Sequence, residues 1–238
     1  MPLPLVPIFI AFAVGAVVSG SVVYKWEDIF YSLQGKKIAV LGAKKVGKTT
    51  LFKYMEKGIL IERYNQTPNR EDVERIRIKL GDLDIRLKKT DDLPGSGSTD
   101  GLGHDSIEQY YKWKQLFEEA DLVLYLVRTD MLLKHDSETE KRADDDLKQI
   151  QIWIKELDAT ERKQFFIVGN HWDSDPVYKN LTPDQRGNYQ SQFTSLPIVK
   201  RMIQLAGGAA KVKVTLGSLA NENDANYLIQ TIFKQVEK

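Results

Sequence analysis

The chain has 238 residues, of which 42% are hydrophobic and 28% charged, enough for one globular core with a solvated surface. Its formal net charge of +1 argues against nucleic acid as a partner, because domains that neutralise phosphate backbones carry a basic excess. It has no cysteine, which excludes disulfides, thiolate metal sites and cysteine nucleophiles together.

Leu3 to Tyr24 contains no charged residue. As a helix it would cover roughly 30 Å, the thickness of a bilayer core. Pro2, Pro4 and Pro7 sit where a helix start tolerates proline, and Tyr24 and Trp26 mark an interfacial end. A cleaved signal peptide would need basic residues before the apolar run, and only the terminal amine is available there. A buried helix is the remaining alternative, but soluble helices are seldom apolar on every face. The expectation is therefore a single-pass anchor at 1–25, whose partner is the lipid bilayer through residues 3–24. A juxtamembrane segment follows at 26–35. Lys25, Lys36 and Lys37 place the following domain in the cytoplasm by the positive-inside rule. Ala11, Gly15 and Ser19 are spaced by four, which would let two such helices approach closely as a dimer.

Lys36–Leu41 is predicted as a first strand ending at a glycine turn, and Thr49–Lys57 as a helix. Gly58–Asp72 lacks periodicity and is predicted as a loop. Val73–Leu80 and Leu83–Lys89 alternate around Gly81-Asp82, as an antiparallel hairpin would. Pro94–His104 is a Gly/Ser-rich loop, and Ile107–Glu119 is predicted helical. Leu122–Val127 and Phe165–Val168 are unbroken apolar runs, as in strands buried on both faces. Between them, Thr139–Leu157 places Ala143, Leu147, Ile150, Ile154 and Leu157 on one helical face, with the acidic run Asp144–Asp146 as its solvated side. Asp175–Ser195 is polar and loop-like with some helix. Leu196–Leu205 is predicted as a helix, Val212–Leu216 as a strand and Asp224–Val236 as a closing helix. Alternating strands and helices imply an α/β fold: a mostly parallel sheet with one antiparallel edge strand.

Gly42-Ala43-Lys44-Lys45-Val46-Gly47-Lys48-Thr49 fits G-x-x-x-x-G-K-[ST] between a predicted strand and helix, the context a phosphate-binding loop requires. Its backbone N–H groups, including those of Gly42, Lys45, Val46 and Gly47, would wrap the phosphates, aided by the helix N-terminus at Thr50. Lys48 would reach the β- and γ-phosphates, and Thr49 would bind Mg²⁺. Asp92-Leu93-Pro94-Gly95 follows the hairpin. Asp92 could hold Mg²⁺ through water, and the Gly95 N–H could sense the γ-phosphate. Thr67 is the only Ser or Thr between Thr50 and Thr90 and is placed to complete the magnesium shell. Asn170-His171-Trp172-Asp173 follows a buried strand. The Asp173 carboxylate would accept from guanine N1–H and N2–H₂, a donor pair that adenine lacks. Asn170 would brace the phosphate loop, while Ser218 and Leu219 would close the pocket.

These pieces, in this order, resemble the Ras-like GTPase domain of the translation-factor-related P-loop class. The resemblance covers residues 36–238 and implies a six-stranded P-loop NTPase sheet, GTP/GDP and Mg²⁺ as cofactors, and switch loops at Gly58–Asp72 and Pro94–His104. It also implies GTP hydrolysis coupled to a molecular switch for a membrane-associated protein partner. The sequence departs from the family at three places. His171 stands where the guanine motif has lysine, Ser218-Leu219-Ala220 replaces S-A-K, and Ser96 takes the place of the water-orienting glutamine. Intrinsic hydrolysis should then be slow or use another group. His104 is one candidate. Lys45 is another, since a lysine at the fourth motif position could place its ammonium near the bridging oxygen as charge develops. A nucleotide-binding interaction module with little hydrolysis, or an ATPase that tolerates adenine despite Asp173, are the alternatives.

Overall fold

A computed structural model describes residues 37–55, 113–157 and 163–236 of the chain. Four described strands form one sheet in the order β1 (Ile38–Gly42), β2 (Leu122–Arg128), β3 (Gln164–Asn170) and β4 (Val212–Leu216). Every pairing is parallel. Helix α1 begins at residue 48 and is described to 55, and α2 covers 113–119. The remaining helices are α3 (Thr129–Leu133), α4 (Ser137–Glu156), α5 (Pro176–Lys179), α6 (Pro183–Ser195), α7 (Pro197–Leu205) and α8 (Glu222–Lys234).

Parallel strands need crossovers, and these put helices on both faces of the sheet. Side chains alternate accordingly. Ile38, Val40, Leu122, Leu124, Phe166 and Val168 meet α1 and α8 through Leu51, Met55, Leu228 and Ile232. Ala39, Leu41, Val123, Tyr125, Phe165 and Ile167 meet α2, α4, α6 and α7 through Phe117, Leu147, Phe193 and Met202. Leu147 and Ile150 are fully buried, each such side chain worth about 1.5–3 kcal/mol relative to exposure. Both faces being covered is why β1, β2 and β3 are continuous apolar runs.

The strands and helices expected at Leu122–Val127, Phe165–Val168, Val212–Leu216, Leu196–Leu205 and Asp224–Val236 are present, the strand Val212–Leu216 with its expected ends and the others with ends shifted by at most two residues. Capping sets two of those ends. Asn221 accepts from Asp224 N, so α8 starts ahead of the expected Asp224. Asp136 accepts from Thr139 N at 2.8 Å, so α4 starts at Ser137. Helix α3 was not anticipated; at five residues it is too short to carry a periodic pattern.

Three expectations need correction. The acidic run is not all solvated: Asp146 is fully buried, accepts from Tyr125 Oη at 3.1 Å and pairs with Arg142. It falls three residues after Ala143 and four before Ile150, on the core face of α4. Asp175–Ser195 is mostly helix, because Pro176 and Pro183 each open a helix at its first turn. The third correction concerns the membrane span: no helix among the described residues is long and apolar enough to cross a membrane. The segment 3–24 and the hairpin over 73–89 lie outside the described residues, so the antiparallel edge strand is not among the strands seen.

Candidate nucleotide site at the carboxyl ends of the strands

The register aligns the exits of all four strands: Gly42 lies beside Leu126, Arg128 beside Asn170 and Gly169 beside Leu216. In open α/β sheets the crevice outside these carboxyl ends is where ligands bind. The loop 42–47, the turn 171–174 and the segment 217–220 meet there.

Gly42 has φ +136°, and a Cβ on it would lie 2.3 Å from the Leu126 carbonyl oxygen. Only glycine allows β1 to turn so close to β2. Lys45 follows in the left-handed region at φ 65°, and Gly47 at φ +100° closes the loop. The Gly47 carbonyl accepts from Leu51 N at 2.9 Å, so Gly47 caps α1. Val46 is buried against Leu51 and Leu219 and plugs the loop into the core. Lys48 Nζ donates to the carbonyls of Gly42 at 3.0 Å and Ala43 at 2.8 Å, so its ammonium spans the loop mouth. Lys44 and Lys45 are exposed. The result is a concave backbone turn with a helix N-terminus at its base and a cation across its mouth, a form that suits phosphate.

Asn170, buried at the end of β3, donates from Nδ2 to the Val46 carbonyl at 2.9 Å. This ties the loop 42–47 to the next loop of the crevice. His171 then adopts φ 64°, and Trp172–Ser174 forms a single 3₁₀ turn. Asp173 on that turn accepts from Ser218 Oγ at 2.6 Å, and Ser218 Oγ itself accepts from Ala220 N at 3.0 Å. Leu219 lies under Gly47, where an added Cβ would come within 3.1 Å of its Cδ1. Gly217 N donates to the Gly169 carbonyl at 2.8 Å, keeping β4's exit against β3's.

Three buried polar atoms at this end of the sheet have no hydrogen-bond partner among the described residues: Asn170 Oδ1, His171 Nε2 and Thr129 Oγ1. Buried polar groups are otherwise nearly always paired, so these suit a polar ligand. At the end of β2, Arg128 forms a two-bond pair with Asp130 at 3.0 and 2.6 Å. The hydrogen bond to Asp130 raises the Arg128 guanidinium's pKa against the opposing cost of burial. No motif marks Arg128, Thr129 or Asp130; only their place in the sheet does.

The structure therefore gathers Gly42, Lys45, Val46, Gly47, Lys48, Thr49, Asn170, His171, Asp173, Ser218 and Leu219 around one crevice, with Thr50 one residue further along α1. Gly95, Thr67, Asp92 and His104 lie outside the described residues. Among the described residues no cluster of three or more acidic or histidine side chains is arranged to hold a metal. Of the expected magnesium ligands only the Thr49 hydroxyl is described, at the start of α1. One hydroxyl suits a Mg²⁺ that keeps water and takes most of its oxygens from substrate phosphates. The fold is thus an α/β domain with a parallel sheet and helices on both faces. No protein-family model matches the chain, and no curated protein is significantly similar to it.

Proposed function

We propose that this chain is a GTP-binding protein that hydrolyses GTP slowly to GDP and works as a molecular switch, with a Ras-like domain of the translation-factor-related class. The observation that carries it is the Asn170–Val46 hydrogen bond, which joins a phosphate-shaped loop to the turn bearing Asp173.

The loop's N–H groups and the α1 N-terminus receive the phosphates. Lys48 exchanges its two carbonyl partners for phosphate oxygens, its ammonium already held at the loop mouth. Thr49 Oγ1 would hold Mg²⁺, which supplies charge neutralisation on the phosphates when bound. Asp173 keeps one oxygen on Ser218 and offers the remaining lone pairs to guanine N1–H and N2–H₂. His171 Nε2 has no partner among the described residues, and the imidazole would take the face of the base. Lys45 stands out from the loop and supplies the cation for charge developing on the bridging oxygen.

Competition binding of GTP, ATP and XTP to wild type and Asp173→Asn tests the base-reading half. Wild type should prefer GTP, and the variant should shift toward XTP, whose C2 carbonyl accepts from the new amide. Equal affinity of wild type for ATP and GTP would sink the assignment. A nucleotide-binding module with negligible catalysis is favoured by Ser96 in place of glutamine. Single-turnover hydrolysis of bound GTP decides between the two.

A further inference from the structure

Resting on that reading of Asp173, we infer that Asp175 and Tyr189 are positioning residues for guanine recognition: their buried hydrogen bond fixes the turn that presents Asp173. Neither residue belongs to a nucleotide-binding motif.

Among the described residues, Asp173 itself is held by a single side-chain bond, from Ser218. The orientation of its carboxylate depends on the backbone beneath it, a 3₁₀ turn starting from the left-handed His171. A one-turn helix has little stability of its own. What closes it is Asp175. Its N–H donates to the Trp172 carbonyl at 3.0 Å. Its Oδ1 accepts from Val177 N at 2.9 Å and caps α5. Its Oδ2 accepts from Tyr189 Oη at 2.8 Å, across from the middle of α6. Asp175 and Tyr189 are 8% and 2% exposed, so this carboxylate–phenol bond forms where water does not compete. Burial, and then the bond to Asp175, push the Tyr189 phenol up, so it remains a donor at any ordinary pH.

The other flank of Asp173 is anchored to the same helix. Trp172 stacks on Tyr178 with centroids 4.2 Å apart and planes 21° apart. Tyr178 packs against the Tyr189 ring at 5.3 Å, with the Arg186 guanidinium 5.2 Å from its centroid. Burial lifts the Tyr178 phenol to about 12. Both neighbours of the Asp173–Ser174 pair are therefore referred to α6, and Tyr189 touches each line of support.

The consequence is specific. An aspartate that reads guanine makes two parallel hydrogen bonds, one to N1–H and one to the 2-amino group. Such bonds weaken steeply as the angle departs from linear. A small tilt of the turn loses the outer bond first, while the phosphates still hold the nucleotide. ITP has the N1–H but no 2-amino group, so it reports binding without that outer bond.

The test is competition binding of GTP, ITP and ATP to the full chain in three forms: wild type, Tyr189→Phe and Asp175→Ser. Phenylalanine removes only the hydroxyl. Serine retains an N-cap acceptor for Val177 N but is too short to reach Tyr189. Circular dichroism checks that each is folded. Wild type should bind GTP about tenfold or more tighter than ITP, a difference of about 1.4 kcal/mol. In both variants the GTP:ITP ratio should fall to about threefold or less, with ITP affinity within about twofold of wild type. A variant that keeps the wild-type ratio overturns the positioning role, and so does one that loses GTP and ITP equally. A wild type that fails to distinguish GTP from ATP or ITP overturns the base reading first, and the positioning role with it.

Discussion

Gly47→Ala separates two reasons for a glycine at the end of the loop 42–47. At φ +100° an L side chain is strained, at a cost of about 1–3 kcal/mol. The added methyl would also lie 2.4 Å from Asn170 Nδ2, the atom that donates to the Val46 carbonyl. Relieving that contact means displacing Asn170 and losing a buried hydrogen bond, a further cost of about 1–2 kcal/mol. Asn170→Ala alone should cost about 1–3 kcal/mol by stranding the Val46 carbonyl. In the double variant the strain persists, but the clash is gone and its hydrogen bond is already lost. The double variant's cost should then fall short of the sum of the two single-variant costs by about 1–2 kcal/mol. Urea unfolding of the four proteins, followed by tryptophan fluorescence, measures this coupling. Additivity within about 0.5 kcal/mol would refute the claim that Asn170 and Gly47 meet.

Two further outcomes follow from the same geometry. Lys45→Ala should slow single-turnover GTP hydrolysis by about tenfold or more while GTP affinity stays near wild type; an unchanged rate, with or without potassium, would remove Lys45 from the chemistry. At the start of α4, hydrogen bonds from the Thr139 hydroxyl and then its N–H hold the Asp136 carboxyl below its usual range. A lowered folded-state value contributes stability above the unfolded pKa of about 3.9 and loses it as pH falls through the folded value. Asp136→Ala should therefore be less stable by about 0.5–2 kcal/mol at pH 7, with the gap closing under acid unfolding below pH ~3.9.

Features written in short-range chemistry were legible in the chain. The glycines at 42 and 47 announce positive φ, and the apolar runs over 122–127 and 165–168 announce strands covered on both faces. Polar residues with long-range roles were misjudged. Asp146 belongs to an acidic run that looks solvated, and only the Tyr125 hydroxyl and Arg142 beside it make burial tolerable. The segment after Asp175 has so weak an apolar face that periodicity could not reveal its helices; the prolines opening α5 and α6 were the available signal.

The sequence by itself determined the glycine loop 42–47, because its shape depends on the φ freedom of two glycines and the reach of Lys48 within six residues. It also determined the strands, because burial on both faces demands apolar residues throughout. The tertiary structure decided which loops share a crevice. Asn170 reaches Val46 across 124 residues, and Ser218 reaches Asp173 across 45. The support of the 171–174 turn by Tyr189 on α6 was likewise visible only once packed. Such pairings depend on parallel register and helix packing, which bring distant residues together without leaving any local periodicity to mark them.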